Sequence, residues 1–209
     1  MRLHSEQRAL SVAVAHLVLV RPKDTVEHST PAVATEVEKF VEKLVAGKTD
    51  HTSARCDLML ALRQKGLWEL SCDEHWLNAV LDLNFSLRCG WRSYSDGLHS
   101  AILDQWPAQE FYRAFPRTVH RDWLRRWTDS GAHLYSGKMI ALKDDRVWNA
   151  LSDFGFPFPP FALGSGMDVR DIDRDTAMKT GLIDRDRQVA LKNAPRPKLI
   201  LLDPTPEEA

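Results

Sequence analysis

No helix can pass through Phe156-Pro157-Phe158-Pro159-Pro160-Phe161. Its three prolines lack the amide donor that a helix needs, and each holds the residue before it in an extended conformation. The stretch is therefore an extended, aromatic-studded loop. Such a loop needs a core to lie against, and the 209 residues supply one: 44% are hydrophobic, with seven Trp and eight Phe among them. A chain of this length buries roughly 70% of the surface that its unfolded form exposes.

Ahead of the loop the sequence reads as helices punctuated by glycine. Pro31 opens one, with Val33, Val37, Phe40, Val41, Leu44 and Val45 on a single stripe and Gly47 as its stop. Residues 55–65 form a second, ended by Gly66. Ser71-Cys72-Asp73-Glu74 has the form of a capping box before the stripe Leu77, Val80, Leu81, Leu87 and Trp91, which Ser95-Asp96-Gly97 interrupts. Residues 98–115 read as helix with a break at Pro107, and residues 122–129 as another, with Trp123 and Trp127 stacking and Gly131 as terminator.

After Gly131 the pattern changes. Residues 133–142 suggest a small hairpin turning at Gly137, and Asp144 or Asp145 caps a helix whose Val147, Trp148 and Leu151 face inward. Residues 173–180 are a capped helix closed by Gly181, and 199–202 are strand-like before an acidic tail. The expected fold class is α+β, predominantly α-helical, with a small hairpin and a Pro-rich loop in the C-terminal half. The expected division is an N-terminal helical segment (1–70), a main domain (71–190) and a C-terminal run and tail (191–209).

The apolar run 9–20 is shorter than the about 20 residues a membrane span requires. Glu6 before it and Arg21-Pro22-Lys23 after it do not suit a signal peptide, so a buried element is expected there. Cys56, Cys72 and Cys89 are odd in number and lack CxxC spacing, which gives neither a disulfide framework nor a zinc ribbon and leaves them as small apolar packing residues. A net charge of −1 lacks the footprint of a dedicated nucleic-acid binder. Arg113, Arg117, Arg121, Arg125 and Arg126 still form a basic stretch that could face DNA, although a solvated helix face is the simpler account. The alternating charges of 168–187 are expected to pair among themselves.

Catalytic motifs fail on spacing. Gly164-Ser165-Gly166 lacks the glycines of a nucleophile elbow, for Leu163 and Met167 stand there, and Val169 replaces the third glycine of a dinucleotide fingerprint. A turn leaving the Pro loop is expected instead. His120, Asp122, His133 and Asp144 could be drawn together as an enzymatic site, but they match no zinc motif, and surface or capping roles fit each of them.

The order of elements in residues 80–172 resembles the phage Mu protein F-like family of minor head proteins. The residues that carry the resemblance are Asn84 with Gly90-Trp91-Arg92, then Arg117-Thr118-Val119-His120, Gly137, the run Ala141-Leu142-Lys143-Asp144-Asp145-Arg146-Val147-Trp148, and Phe158-Pro159-Pro160-Phe161. Where the family carries Cys-x-Cys this chain has Gly164-Ser165-Gly166, and Arg146 stands where the family has proline. The resemblance implies a structural protein of the virion, assembled in the host cytoplasm. Its implied role is head morphogenesis by contact with the portal or major capsid protein, with packaged DNA as a further partner through the Arg113 to Arg126 stretch. The expected contact surface is Trp123, Trp127, Phe156, Phe158, Pro159, Pro160 and Phe161, with no catalytic residue and no cofactor. The alternative is a phage-borne toxin or nuclease acting through His120, Asp122, His133 and Asp144.

No metal is expected, because the family's thiolates are glycines here. Elemental analysis after dialysis against a chelator should find no stoichiometric zinc; one zinc per chain would restore a ligand set built on His120.

Overall fold

A computed structural model describes residues 31–116 and 121–202. The expected buried element at 9–20 and the acidic tail lie outside the described residues. The fold is mostly helical with one small antiparallel sheet, as the α+β expectation requires. It divides into two compact units: the first holds the described residues up to Cys89 and those from Pro197 onward, and the second is Gly90–Arg196. The boundary expected at residue 70 thus falls nineteen residues later, inside a helix.

In the first unit, α1 (Pro31–Val45) presents its apolar stripe as read from the sequence, and Gly47 ends it with φ +64°. Two bonds close the turn, from the Gly47 amide to the Leu44 carbonyl and from the Lys48 amide to the Lys43 carbonyl. α2 (His51–Gln64) starts earlier than expected because the Asp50 carboxylate accepts from the Ser53 amide at 2.9 Å. α3 (Trp68–Cys72) displaces the expected capping box: Ser71 sits inside this short helix, where its hydroxyl donates to the Trp68 carbonyl at 2.7 Å. The cap of α4 (Glu74–Asp96) is Asp73, whose carboxylate accepts from the Trp76 amide at 2.8 Å. Val37, Phe40, Leu58, Leu62, Trp76, Leu77 and Leu81 fill the core.

Against that core lie Leu199, Leu201 and Leu202, yet residues 197–202 form no strand. Side chains of α4 replace the missing ladder. The Asn84 amide donates to the Ile200 carbonyl at 2.7 Å and accepts from the Ile200 amide at 2.8 Å, the pairing a neighbouring strand would offer. Trp76 Nε1 donates to the Leu202 carbonyl at 2.7 Å, and Arg88 donates to the Pro197 carbonyl and to Glu38.

In the second unit, α5 (Ser100–Gln105) stops before Pro107, and the residues beyond form a strand, β1 (Ala108–Arg113), not the helix expected there. β1 is the central strand of the order β2-β1-β3, with β2 (Met139–Leu142) and β3 (Met167–Ile172) both antiparallel to it. Ser136 and Gly137, both at positive φ, make the expected turn, but it joins only the Tyr135–Lys138 bridge, and β2 takes β1 as its ladder partner. Both sheet faces are covered. Phe111 faces a cluster formed with α6 (Trp123–Asp129), α7 (Val147–Leu151) and Phe161, while Ala108 and Ile140 face Leu103, Ile183, Val189 and Ala177 of α8 (Arg174–Lys179). The Asp173 cap and Gly181 stop of α8 match the expectation.

The Pro loop lies directly on α4 within this unit. A Cβ placed on Gly90 would come within 1.9 Å of the Pro159 carbonyl oxygen and 3.1 Å of the Phe158 ring. Gly90 in a helix interior is thus a requirement of backbone approach. Gly90→Ala should destabilise the protein by about 1–3 kcal/mol through overpacking, although alanine is the better helix former at an open site. Chemical denaturation of the two proteins checks the sign, and a more stable variant would show that the loop does not rest on the helix.

Candidate functional site

The residues of the expected contact surface come together in the second unit, but most of them face inward. Trp127 and Phe161 are fully buried, and Trp123 and Phe158 are 3% and 2% exposed. Trp123 and Trp127 each pack on Phe111, with ring centroids 5.3 and 6.3 Å away, instead of stacking on one another. Phe161 meets Phe111 at 5.2 Å and Trp148 at 6.1 Å. These four residues are core, which corrects their assignment to a contact surface. Phe156, Pro159 and Pro160 are half-buried and keep an accessible edge. Phe158 belongs to a separate group, stacked on Phe156 at 5.2 Å and tilted against Tyr94 at 5.4 Å.

Local chemistry explains why this cluster forms. Asp122 caps α6 by accepting from the Arg125 amide at 2.9 Å, and its first turn then points Trp123 and Trp127 at the sheet. Neither Asp144 nor Asp145 takes the cap position of the next helix, which is Arg146; the Asp145 carboxylate, one residue earlier, accepts from the Val147 amide at 2.9 Å. Trp148 is fully buried and donates its indole N–H to the Leu142 carbonyl at 2.7 Å, tying α7 to the end of β2. The Gly164-Ser165-Gly166 segment is the turn expected of it: both glycines lie at positive φ, and the Gly166 carbonyl accepts from the Ala114 and Phe115 amides.

Charge gathers at one edge of the cluster. Arg126 pairs with Asp153 at 2.7 Å and lies 4.8 Å from the Trp123 ring. Arg121 approaches Asp153 at 3.6 Å, lies 5.9 Å from the same ring, and donates to the Leu163 carbonyl at 3.1 Å. Burial lowers the Arg121 pKa; the Asp153 charge opposes this, and the like charge of Arg126 adds to it. Trp123 Nε1 is buried without a hydrogen-bond partner. The Asp153 amide in turn donates to the Phe161 carbonyl at 2.7 Å, which fixes the Pro loop. Nothing in the sequence marked Asp153 or Phe111 for this role, because their partners are distant along the chain.

The basic stretch is only partly paired, with two carboxylates against four described arginines. Arg121 and Arg126 share Asp153, Arg125 lies 3.5 Å from Asp129, and Arg113 is exposed. Arg117, Thr118 and His120 lie outside the described residues. Of the alternative enzymatic set, Asp122 is a helix cap, and exposed His133 contributes its backbone carbonyl to Trp127. Asp144 accepts from Arg187 at 2.8 Å. Among the described residues, no group of three or more His, Cys, Asp and Glu side chains could hold a metal ion, and no helix is long and apolar enough to cross a membrane. Asn84 is the clamp on Ile200 in the first unit, and Gly137 is a turn residue. The three cysteines are exposed, not packed as expected.

The charges of 168–187 do not pair among themselves as expected. Arg170 grips Glu110 with bonds of 2.8 to 3.0 Å, Asp171 takes Lys143 at 2.7 Å, and Arg174 takes Asp104 at 2.8 Å. These pairs fasten β3 and α8 to the rest of the unit.

No protein-family model, curated protein or solved structure matches this chain.

The ring cluster makes Trp148 the most informative position. Trp148→Ala should cost about 3–5 kcal/mol, since it removes a fully buried ring together with one of the two bonds to the Leu142 carbonyl, the Asp145 amide supplying the other. A shift of only a degree or two in thermal melts would show that α7 does not carry the cluster.

Proposed function

We propose that this chain acts by association, as a minor head protein of a tailed phage or prophage that joins the capsid by contacting the portal or major capsid protein. The observation that carries the reading is the family-like order of elements between Asn84 and Phe161. What supports a structural role for that order is how its residues are used. Gly90 admits Pro159, Trp148 packs with Phe161, and Asp145 accepts from the first amide of the helix that bears Trp148. Residues that would be reserved for chemistry in an enzyme are here spent on caps, turns and ring packing.

The contact surface under this reading shifts away from the buried tryptophans. Phe115 is 62% exposed, and Leu124 and Leu134 are also exposed in the same unit. Together with the open edges of Phe156, Pro159 and Pro160 they offer the aromatic and apolar anchors an interface needs. Packaged DNA is the weaker partner, since most arginines of the basic stretch that are described already face carboxylates.

Co-expression with the portal and major capsid proteins of the same genome should give a co-purifying complex or incorporation into heads. Phe115→Ser with Leu124→Ser should reduce it at least tenfold while the circular dichroism spectrum is kept. Alanine at His120 and His133 should leave incorporation intact. Nucleic-acid cleavage or cell killing abolished by those same two substitutions, in a folded protein, would establish the toxin or nuclease instead.

A further inference from the structure

The first unit leaves an apolar face in water towards the C-terminal end of α2. Among its described residues, the large apolar side chains that stay exposed are Leu60 at 51% and Trp68 at 60%. They belong to one patch. Arg63 follows Leu60 by one turn on the same side of α2, and its guanidinium lies 5.6 Å from the centroid of the Trp68 ring. Cys56, one turn before Leu60 on the same row, is exposed as well. Neither Leu60 nor Trp68 packs on the core that α1, α2 and α4 build, so nothing in the described packing of the unit requires them to be apolar.

The chain enters the unit beside this patch. α1 and α2 pack together and are joined by only five residues, 46–50, so they run antiparallel and the start of α1 lies at the end of α2. Glu36, in the second turn of α1, meets Lys65, directly after α2, at 3.4 Å, which fixes that arrangement. Along their helices, Pro31 is about 8 Å from Glu36, and Leu60 is about 8 Å from Lys65. Residues 1–30 lie outside the described residues. Of the twelve residues in the run 9–20, seven are Leu or Val and none is Asp, Glu, Lys or Arg. Ten residues, 21–30, separate this run from Pro31 and can span up to about 33 Å. The run is thus tethered within reach of the patch. An apolar stretch of that length is costly to leave in water, and the face beside its point of entry offers the burial it needs.

We propose that the face formed by Leu60 and Trp68 is the docking site of residues 9–20 of the same molecule. The inference goes beyond the phage-head reading and does not rest on it, since no other protein takes part.

Photo-cross-linking in the full-length chain identifies the occupant. With p-benzoylphenylalanine in place of Leu60, the cross-linked peptides found by mass spectrometry should fall within residues 9–20. The product should have the mass of a monomer, with the same yield at protein concentrations about a hundredfold apart. Val14→Asp with Val18→Asp changes only the run, and should lower that yield by about fivefold or more while the circular dichroism spectrum is kept. Elastase, which cuts after small apolar residues, supplies a second reading should that variant fail to fold. Leu60→Asp is nearly neutral on a free surface, but here it should speed cleavage within 9–20 by about fivefold or more. Cross-links absent from the run, a product of dimer mass, which would make a second copy the occupant, an unchanged yield in the folded Val14→Asp, Val18→Asp chain, or equal cleavage of the run in wild type and Leu60→Asp would each overturn the proposal.

Discussion

Half-covered backbone carbonyls that lack a ladder partner are the constraint around which this protein is arranged. Much of the chain is neither helix nor strand, and each carbonyl it buries needs a donor from elsewhere. The tryptophans meet that need while filling the core. In the first unit, Trp76 donates to the Leu202 carbonyl. In the second, Trp91, Trp127 and Trp148 donate to the carbonyls of Ala194, His133 and Leu142. An indole suits both demands, since its ring contributes a large apolar area and its single N–H can do nothing but donate. Four of the seven tryptophans are used this way, which gives a reason for so many in one chain.

What was legible in the sequence was whatever has a local cause. The stripe of α1 with its Gly47 stop, the Asp173 cap with Gly181, and the refusal of the Pro loop to become helix all follow from neighbours a few residues apart. The strand β1 was not legible. Ala108 through Phe111 are buried on both faces of a central strand, so no alternation of apolar and polar residues marks them. The capping box failed for a related reason: Ser71 and Asp73 are both good caps, and tertiary packing of α3 selected the second.

The candidate site was legible as a set of residues and illegible as a surface. Periodicity says that Trp123 and Trp127 share a helix face; it does not say whether that face meets the sheet or a partner. Phe111 decides this, and its partners follow it by more than ten residues, so no local pattern announces the contact. The cysteines illustrate the opposite error, since a residue type that is buried on average is exposed at all three positions here.

Ion pairing completes the account of why the second unit holds a defined shape. Exposed pairs contribute little to stability. Glu110 and Lys143 differ, with side chains 8% and 10% exposed, one on the central strand and one just after β2. Each is matched by a charge on β3, from Arg170 and Asp171. A shift of β3 by one residue would withdraw both partners, leaving Lys143 without Asp171 and Glu110 with only Lys138 at 3.7 Å, which costs more than the pairs themselves contribute. The buried charges therefore act chiefly as a register lock. That lock holds the turn carrying Gly166 in place, and with it the backbone of Ala114 and Phe115 at the exposed end of β1.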